Sequence, residues 1–408
     1  MKKSTILKLV LSAVIGTSCL TANAQVFTGL LGNSTSMTVS NNSDNQLSPA
    51  LDQKNFFTAG MRIPFNPKGT VYFAAQATGT FDLFLLDSQP EISFGLDLDL
   101  FKMNASFQTR DKKAALLSIG RFPVTDITGI VYSQSVDGLL LQLKTQRFSS
   151  TYSLAYTGLL NGLNICELDS NGLPATPGAA VMLEDYAIYQ FGSPYLIATG
   201  SFSAPYLFAN QTVGLELFGV AGLPGINVSQ VDDPFRLYAT LYINGPVTRF
   251  MFYDLTSTVE TFGAFQKLAN LSTFHLSIYP GFLSSSITVG ATYASGAQVG
   301  ADGILTSFVP FTKLTAVNSK DELNFSAVSK ASFDFSCKPI SDLWLNIGYA
   351  ADFKNPGTEF TYFGSEINLK GIYQIFTDLQ VNLGASVFIG ANPADNKYAA
   401  SLNAVISF

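Results

Sequence analysis

The chain contains a single histidine, His275, and this limits the chemistry that its side chains can perform. One imidazole cannot form an H-E-x-x-H motif or a multi-histidine metal centre, and the nucleotide-binding motifs G-x-G-x-x-G and G-x-x-x-x-G-K-S/T are absent. A Ser–His hydrolase needs a serine activated by the imidazole, and no serine near His275 is identifiable as a nucleophile. The sequence therefore predicts no enzymatic activity, no cofactor and no catalytic or metal site.

A second set of polar groups consists of isolated charges within otherwise uncharged, alternating segments. His275 shares the parity of Thr273 and Ser277, and the charges lie on the same polar parity of their own segments. They are Asp82, Asp97, Asp99, Lys144, Glu216, Arg236, Lys330, Asp334, Asp352, Glu366 and Lys370. Around a water-filled interior, such charges either keep the interior wet or select ions by sign. Acids outnumber bases among them, which favours cations weakly.

The segments that carry these charges have apolar residues at every second position. From Leu379 to Ile389 the odd positions are apolar, and the even positions are mostly polar or small. Successive side chains of a strand point to opposite faces, so each segment is predicted to be a strand with one apolar face. About 18 such segments begin near residues 27, 55, 70, 91, 114, 137, 149, 193, 211, 235, 248, 270, 284, 321, 342, 359, 379 and 397. A count of 16 stays open, because a bulge or a tight turn near Leu100 and Phe101 would explain a change of parity there.

The connections between these segments alternate in length. Short ones, such as residues 66–69, 111–112 and 377–378, separate longer polar or Gly-rich stretches. The longer stretches are predicted near residues 40–54, 123–136, 161–191, 222–234, 258–269 and 296–320. This alternation indicates an up-and-down meander whose two rims lie in different environments.

The first 24 residues resemble a secretory signal peptide. Lys2, Lys3 and Lys8 precede or flank an apolar stretch, and Ala22-Asn23-Ala24 forms an A-x-A site, so cleavage is predicted between Ala24 and Gln25. The mature chain, 25–408, would keep 20 of 23 basic residues against 29 acidic ones, a net charge of −9 that argues against a nucleic-acid partner. It would also keep Cys166 and Cys337, which are predicted at opposite rims and therefore unbonded.

The export signal, the composition and the strand pattern together predict a closed transmembrane sheet. Charged residues make up 13% of the chain, about half the average of roughly 25% for soluble domains. A sheet in a bilayer must pair every backbone group within the protein, so it has to close into a barrel. We therefore predict an all-β, antiparallel, up-and-down barrel with short periplasmic turns, long external loops and a belt in contact with outer-membrane lipid.

The last residues, "KYAASLNAVISF", carry a more specific pattern. Alternate positions counted back from the end are Phe408, Ile406, Ala404 and Leu402, with Tyr398 further back on the same parity. This resembles the closing strand of bacterial outer-membrane porins and related channels, and it resembles the signal read by the barrel-assembly machinery. The resemblance covers the mature chain and indicates no particular porin subfamily.

The porin resemblance also implies a constriction and a function. In many porins an early loop folds into the lumen, and Arg121 at the start of the 123–136 stretch is the constriction candidate, with Asp126 and Asp137 as its partners. The predicted function is passive diffusion of small hydrophilic solutes or ions through an aqueous channel. Two alternatives stay open: a surface adhesin or structural barrel, and a hydrophobic-solute transporter with a small hatch formed by residues 40–54. Homo-oligomerisation is also left open.

Overall fold

The computed structural model describes most of the chain after the predicted signal peptide. The described residues are 26–41, 47–84, 91–109, 113–159, 165–166, 181–182, 190–191, 194–223, 235–262, 267–296, 305–312, 325–355 and 359–408. Residues 1–24 and the predicted cleavage site between Ala24 and Gln25 lie outside this part. None of the helices in the described residues is long and apolar enough to cross a membrane.

The described residues are almost entirely β-structure, with one short 3-10 turn at Pro393–Asp395. The strands are β1 (Val26–Asn41), β2 (Leu47–Pro64), β3 (Val71–Phe84), β4 (Glu91–Gln108), β5 (Ala114–Thr125), β6 (Ser133–Lys144), β7 (Ser149–Tyr156), β8 (Val181–Met182), β9 (Gln190–Phe191), β10 (Tyr195–Phe208), β11 (Gln211–Gly222), β12 (Arg236–Thr248), β13 (Met251–Phe262), β14 (Lys267–Ile278), β15 (Ser286–Ala294), β16 (Val328–Ile340), β17 (Leu343–Lys354), β18 (Thr361–Gln374), β19 (Leu379–Gly390) and β20 (Lys397–Ser407).

Eighteen of these strands form one closed barrel. Each pairs antiparallel with the next along the chain, and β7 pairs with β10 because β8 and β9 form a separate two-stranded hairpin. β20 pairs with β1, from Ser407 opposite Leu30 to Lys397 opposite Ser40, which closes the sheet. Closure leaves no sheet edge at the seam. The predicted antiparallel, up-and-down barrel of 18 strands is confirmed.

A β-bulge in β4 explains the change of parity near Leu100. Ala77 of β3 lies opposite Leu98, whereas the preceding Gln76 lies opposite Leu100. Asp99 is thus the extra residue, and the strand continues without a turn. The alternative of 16 strands is therefore wrong.

The two rims differ as the alternation of short and long connections predicts. The rim with both termini carries short turns, such as 145–148 and 249–250, whereas the connections 157–194 and 295–327 belong to the opposite rim. The strands reach further than predicted beside several loops. Residues 47–54 pair with 34–41, so most of the predicted 40–54 loop is barrel wall. Polar residues occupy both parities there, which hides the alternation. The same pairing places residues 47–54, part of the segment considered as a possible hatch, in the barrel wall.

Two further predicted loops are shorter than expected for the same reason. Hydrogen bonds continue β5 to Thr125 and start β6 at Ser133, and they likewise shorten the predicted loop at 258–269 to 263–266. Strand pairing is made by backbone groups, so it extends beyond the segment in which side chains alternate.

The outer and inner faces of the barrel carry different side chains. Leu215, Leu241, Ile347, Leu383 and many other large apolar residues are about half exposed on the outer face. Inside, hydroxyl groups pair across neighbouring strands at Thr240–Thr258 (2.8 Å), Thr256–Thr273 (2.6 Å), Ser153–Thr199 (2.6 Å) and Ser286–Ser336 (2.7 Å). An apolar belt around a closed sheet is the surface that contacts lipid, while the polar parity lines the lumen.

The C-terminal residue completes the seam. The Gly29 N–H donates to the Phe408 carbonyl oxygen at 2.7 Å, and the Phe408 N–H donates back to the Gly29 carbonyl oxygen at 3.0 Å. The phenyl ring lies over Gly29, where an added Cβ would be 2.2 Å from a ring carbon, and it stacks on Phe57 with centroids 6.4 Å apart. Glycine at position 29 therefore makes the space that the terminal aromatic ring fills.

Candidate functional site: the inward-folded hairpin and the lumen

The end of the β5–β6 hairpin, Arg121–Asp137, folds into the barrel, and we call it the inner hairpin. Its tip residue Tyr132 stacks on Phe218 of β11 with ring centroids 4.8 Å apart. In the wall, β6 and β11 are separated by β7 and β10, so the hairpin reaches β11 only across the lumen. Phe122 and Val136 are fully buried on the same side of the hairpin.

Two glycines mark the point where the hairpin leaves the wall. Gly120 and Gly138 are register partners. Gly120 has φ of 123°, in the region that favours glycine, and a Cβ there would lie 2.2 Å from the Phe101 carbonyl oxygen. A Cβ at Gly138 would lie 2.2 Å from the Leu154 carbonyl oxygen. Side chains at either position would collide with the backbone of a neighbouring strand, so the sharp change of direction depends on both glycines.

Arg121 ties the inner hairpin to the bulge of β4. Its Nε donates to the Leu98 carbonyl oxygen at 2.6 Å, and its Nη1 donates to Asp137 Oδ2 at 2.7 Å. Ser135 Oγ donates to the Asp99 carbonyl oxygen at 2.9 Å. A bulge disrupts the ladder locally, and these donors pair with the two carbonyl groups beside it. The structure thus brings Arg121 and Asp137 together, as predicted, but the arginine side chain is only 3% exposed.

Asp126 lies at the tip of the inner hairpin and organises its backbone. Its carboxylate accepts from the Tyr132 and Thr128 N–H groups, each at 2.8 Å, and also from the Thr128 hydroxyl. Burial raises the pKa of the Asp126 carboxyl, and these hydrogen bonds oppose the rise. Asp126 closes the turn that carries Tyr132.

A second segment, Leu305–Thr312 between β15 and β16, packs against the inner hairpin, and we call it the inner segment. The Phe311 N–H donates to the Val131 carbonyl oxygen at 2.8 Å, and the Cys166 N–H donates to the Phe311 carbonyl oxygen at 2.8 Å. Phe308 and Phe311 are fully buried in a cluster with Phe122, Tyr132, Tyr195, Phe218, Tyr238 and Leu271. An apolar core therefore occupies the lumen beside β10–β14.

Charged side chains of the wall hold the inner segment in place. Glu260 Oε2 accepts from the Val309 N–H at 2.8 Å, and the Tyr238 hydroxyl lies 2.8 Å from the Val309 carbonyl oxygen and 3.1 Å from Glu260 Oε1. Arg236 donates to the Cys166 carbonyl oxygen at 2.7 Å and lies over the Phe311 ring, 5.0 Å from its centroid. Arg236 and Glu260 are both fully buried. We call Arg236, Tyr238 and Glu260 the latch.

The predicted lumen charges thus divide into several groups. Arg236 belongs to the latch, and Glu216 accepts from the Ile127 N–H near Asp126. Asp82 lies 3.8 Å from Lys54, and Asp99 accepts from Thr78 at 2.6 Å.

The remaining predicted lumen charges are placed mainly by strand register. Asp97 lies opposite Thr78, and Asp352 lies opposite Lys330, which also lies near Asp334. Glu366 lies opposite Ala350. Lys144 ends β6, and Lys370 lies 5.9 Å from the Trp344 ring.

Sequence reasoning missed Glu260, Tyr238 and Lys54. Glu260 has the parity of Thr256 and Thr258, which is the only signal that the sequence offers for it. Its partner Val309 is 49 residues away in a loop, so the contact needs the folded structure. His275 lies opposite Asp254 on β13, and within the described residues no three ligand-type side chains are grouped to hold a metal ion.

Among the described residues, the opposite side of the lumen presents mainly polar side chains. A cavity beside β17–β20 and β1 is bordered by Leu369, Leu383 and several alanines, and by amides, hydroxyls and one ammonium group: Asn346, Asn368, Lys370, Asn382, Ser386, Ser401, Asn403 and Ser36. Gly384 also borders the cavity, and a Cβ there would lie 2.6 Å from Ser401 Oγ. We call this surface the amide wall. Amide and hydroxyl groups donate and accept hydrogen bonds without a fixed charge, so the wall is suited to water and hydrophilic solutes.

The apolar belt, the closed sheet and the divided lumen define a transmembrane β-barrel of the outer-membrane type. No family model and no curated protein sequence matches the chain. Among solved structures, the fold is similar to OccK5 (OpdH) of Pseudomonas aeruginosa, with a TM-score of 0.58 and 11% identity over 94% of this chain and 97% of that one.

Two further Pseudomonas aeruginosa structures show the same likeness. OccD3 (OpdP) gives a TM-score of 0.53 at 11% identity over 95% of this chain and 92% of that one. The outer membrane protein opdK gives 0.56 at 12% identity over 94% of this chain and 98% of that one. The 18-strand barrel of this chain therefore shares its fold with these three proteins.

Proposed function

We propose that the protein is an outer-membrane porin that conducts small hydrophilic solutes or ions by passive diffusion. The observation that carries this proposal is the division of the lumen, in which the inner hairpin and inner segment pack on one side and leave the amide wall on the other. An 18-strand barrel is wide enough for an aqueous path unless loops fill it. The rim with both termini would face the periplasm, as expected for a chain exported with a cleaved leader.

The constriction in this proposal is the gap between the inner hairpin and the amide wall. Arg121 and Asp137 contribute by holding the hairpin inward, and Asp126 contributes by shaping its tip. The charges nearest the amide wall, Lys370 among them, would tune ion selectivity. In this proposal, the three residues predicted at the constriction serve to hold and shape the inner hairpin, which narrows the lumen.

Single-channel recording in a planar lipid bilayer tests the proposal. The folded, purified barrel should produce stepwise openings, and liposomes that contain it should swell in solutions of small sugars. Heat-modifiable migration on gels would verify folding of the same sample. A folded sample without openings and without swelling would contradict the channel function and favour a surface-binding or structural role, whereas fatty-acid uptake without sugar flux would favour a hydrophobic-solute transporter.

The terminal strand is proposed to carry the signal for the barrel-assembly machinery. Phe408 lies over Gly29 at the seam, with Ile406, Ala404, Leu402 and Tyr398 on the same face. Phe408→Ala removes the ring that fills this space, so we expect a severalfold lower level of folded barrel in the membrane. The channels that do assemble should keep the wild-type conductance, since Phe408 is 72% exposed on the outer face. Normal membrane levels with altered conductance would contradict this.

A further inference from the structure

The outer face of the barrel contains a polar patch within its apolar belt. Asn33 and Thr35 of β1 lie opposite Asn55 and Gln53 of β2, respectively. All four share the outward parity of Leu31 and Phe57, which are 50% and 47% exposed on one side of the patch, and of Met37 on the other side. We call Asn33, Thr35, Gln53 and Asn55 the amide patch.

The register places the amide patch at the depth of the hydrocarbon core. Gly29 pairs with the terminal Phe408, and Asn33 and Thr35 follow it by four and six residues. A tilted strand needs about 9–11 residues to cross the core, so these positions lie near its middle. Lipid chains offer no hydrogen bonds at that depth, and an amide left there without a partner is unfavourable.

The amide patch is only partly satisfied by its own members. Asn33 Nδ2 donates to Asn55 Oδ1 at 2.7 Å. Within the described part of the chain, the Gln53 amide and Asn55 Nδ2 have no hydrogen-bond partner.

Other polar groups on the outer face are bonded more fully. Asn270 donates to the Thr258 carbonyl oxygen at 3.0 Å and to Ser257 at 3.2 Å, and it accepts from Ser272 at 2.9 Å. Ser365 contacts two tyrosine hydroxyls, those of Tyr349 at 2.9 Å and Tyr362 at 2.8 Å. The amide patch therefore differs from these clusters in having donors and acceptors to spare.

We propose that the amide patch is a contact with a second copy of this chain in the membrane. Copies inserted by the same route share one orientation, so any symmetry axis that relates them runs along the membrane normal. Groups at one depth then meet groups at the same depth in the neighbour. Amides donate and accept at once, which makes the patch complementary to itself. Lipid headgroups lie too far from this depth to act as the partner of the amide patch instead of a second copy.

Mass measurement of the full mature barrel in lipid nanodiscs and in mild detergent tests the contact. The wild type should have the mass of two or more chains, and the double variant Gln53→Leu/Asn55→Leu should shift to a single chain, with at least tenfold weaker association. Leucine suits a lipid-facing position, so the variant should fold and retain its channel openings. Asn270→Leu, a matched control in a satisfied cluster, should keep the wild-type mass.

Two results would overturn the contact. One is a wild type with the mass of a single chain in nanodiscs at every protein concentration. The other is a double variant that keeps the oligomeric mass; if it also unfolds at higher temperature than the wild type, the patch is simply exposed to lipid. Neither result bears on whether one barrel conducts, so failure of this inference leaves the proposed channel function standing.

Discussion

The lumen has two halves that are built from the same kind of strand but contain different side chains. Beside β10–β14, inward positions carry Phe218, Tyr238 and Glu260, and the inner hairpin and the inner segment pack on them. Beside β17–β20 and β1, inward positions carry Asn, Ser and Gly, and a cavity stays open. An alternating pattern decides which residues face inward, whereas the size and polarity of those residues decide whether a loop can dock on them.

The largest loss of stability is expected at Glu260, a buried charge beside β10–β14. We call this side of the lumen the packed half and the side with the amide wall the open half. Glu260→Ala removes the acceptor for the Val309 N–H and the carboxylate bonded to the Tyr238 hydroxyl, to which Arg236 also donates. Breaking a buried charged network costs about 3–5 kcal/mol, so denaturant unfolding should show a loss of that order. Channel openings should also become larger or noisier as the inner segment detaches. An unchanged unfolding midpoint would mean that the latch does not hold the packed half.

The second-largest effect is expected at Gly120, where the inner hairpin bends away from the barrel wall and into the lumen. Gly120→Ala places a Cβ against the Phe101 carbonyl oxygen and forces alanine into a φ that it disfavours. A residue held in such a conformation costs about 1–3 kcal/mol, and the added collision acts in the same direction. We expect lower stability and a larger single-channel conductance. Gly79→Ala is the control, because nothing lies within 4 Å of its Cβ position.

A smaller effect is expected for Arg121→Lys, and it distinguishes positioning of the inner hairpin from a role of the positive charge alone. Arg121→Lys keeps the positive charge but cannot donate to Leu98 and Asp137 in the same fork. If Arg121 positions the hairpin, the variant should lose about 1–2 kcal/mol of stability and show altered conductance. If the charge alone matters, the variant should match the wild type in both measurements. Reversal potentials in a salt gradient would report the selectivity directly.

The smallest effect on stability is expected in the open half. Lys370→Ala removes the single ammonium group of the amide wall, where it borders the cavity. Exposed substitutions of this kind change stability by about 0.5 kcal/mol or less, so unfolding should be unaffected. The reversal potential should nevertheless move toward cations, because a positive charge has been removed from the path. A destabilised barrel with unchanged selectivity would show that the two halves do not differ as described.

Much of the fold could be predicted from the sequence, because side-chain alternation is a local property. Eighteen strands, the inner and outer faces and the terminal strand all follow from it. Its limits are also local: at Gln53 and Asn55 both parities are polar, and the strand signal disappears although the chain is paired with β1. The candidate site was predicted less well, since Arg121 and Asp137 were placed together but the role of Asp126 in the turn was not.

The sequence by itself determined the architecture, from the leader-like start to the aromatic residue that fills the seam at Gly29. Only the tertiary structure decided which lumen residues meet water and which hold loops. Arg236 and Lys370 look alike in the pattern, yet one is fully buried against Phe311 and the other borders an open cavity. The reason is physical: parity is fixed by each strand alone, whereas packing across the lumen joins residues far apart in the chain, and it depends on the register and shape of the closed barrel.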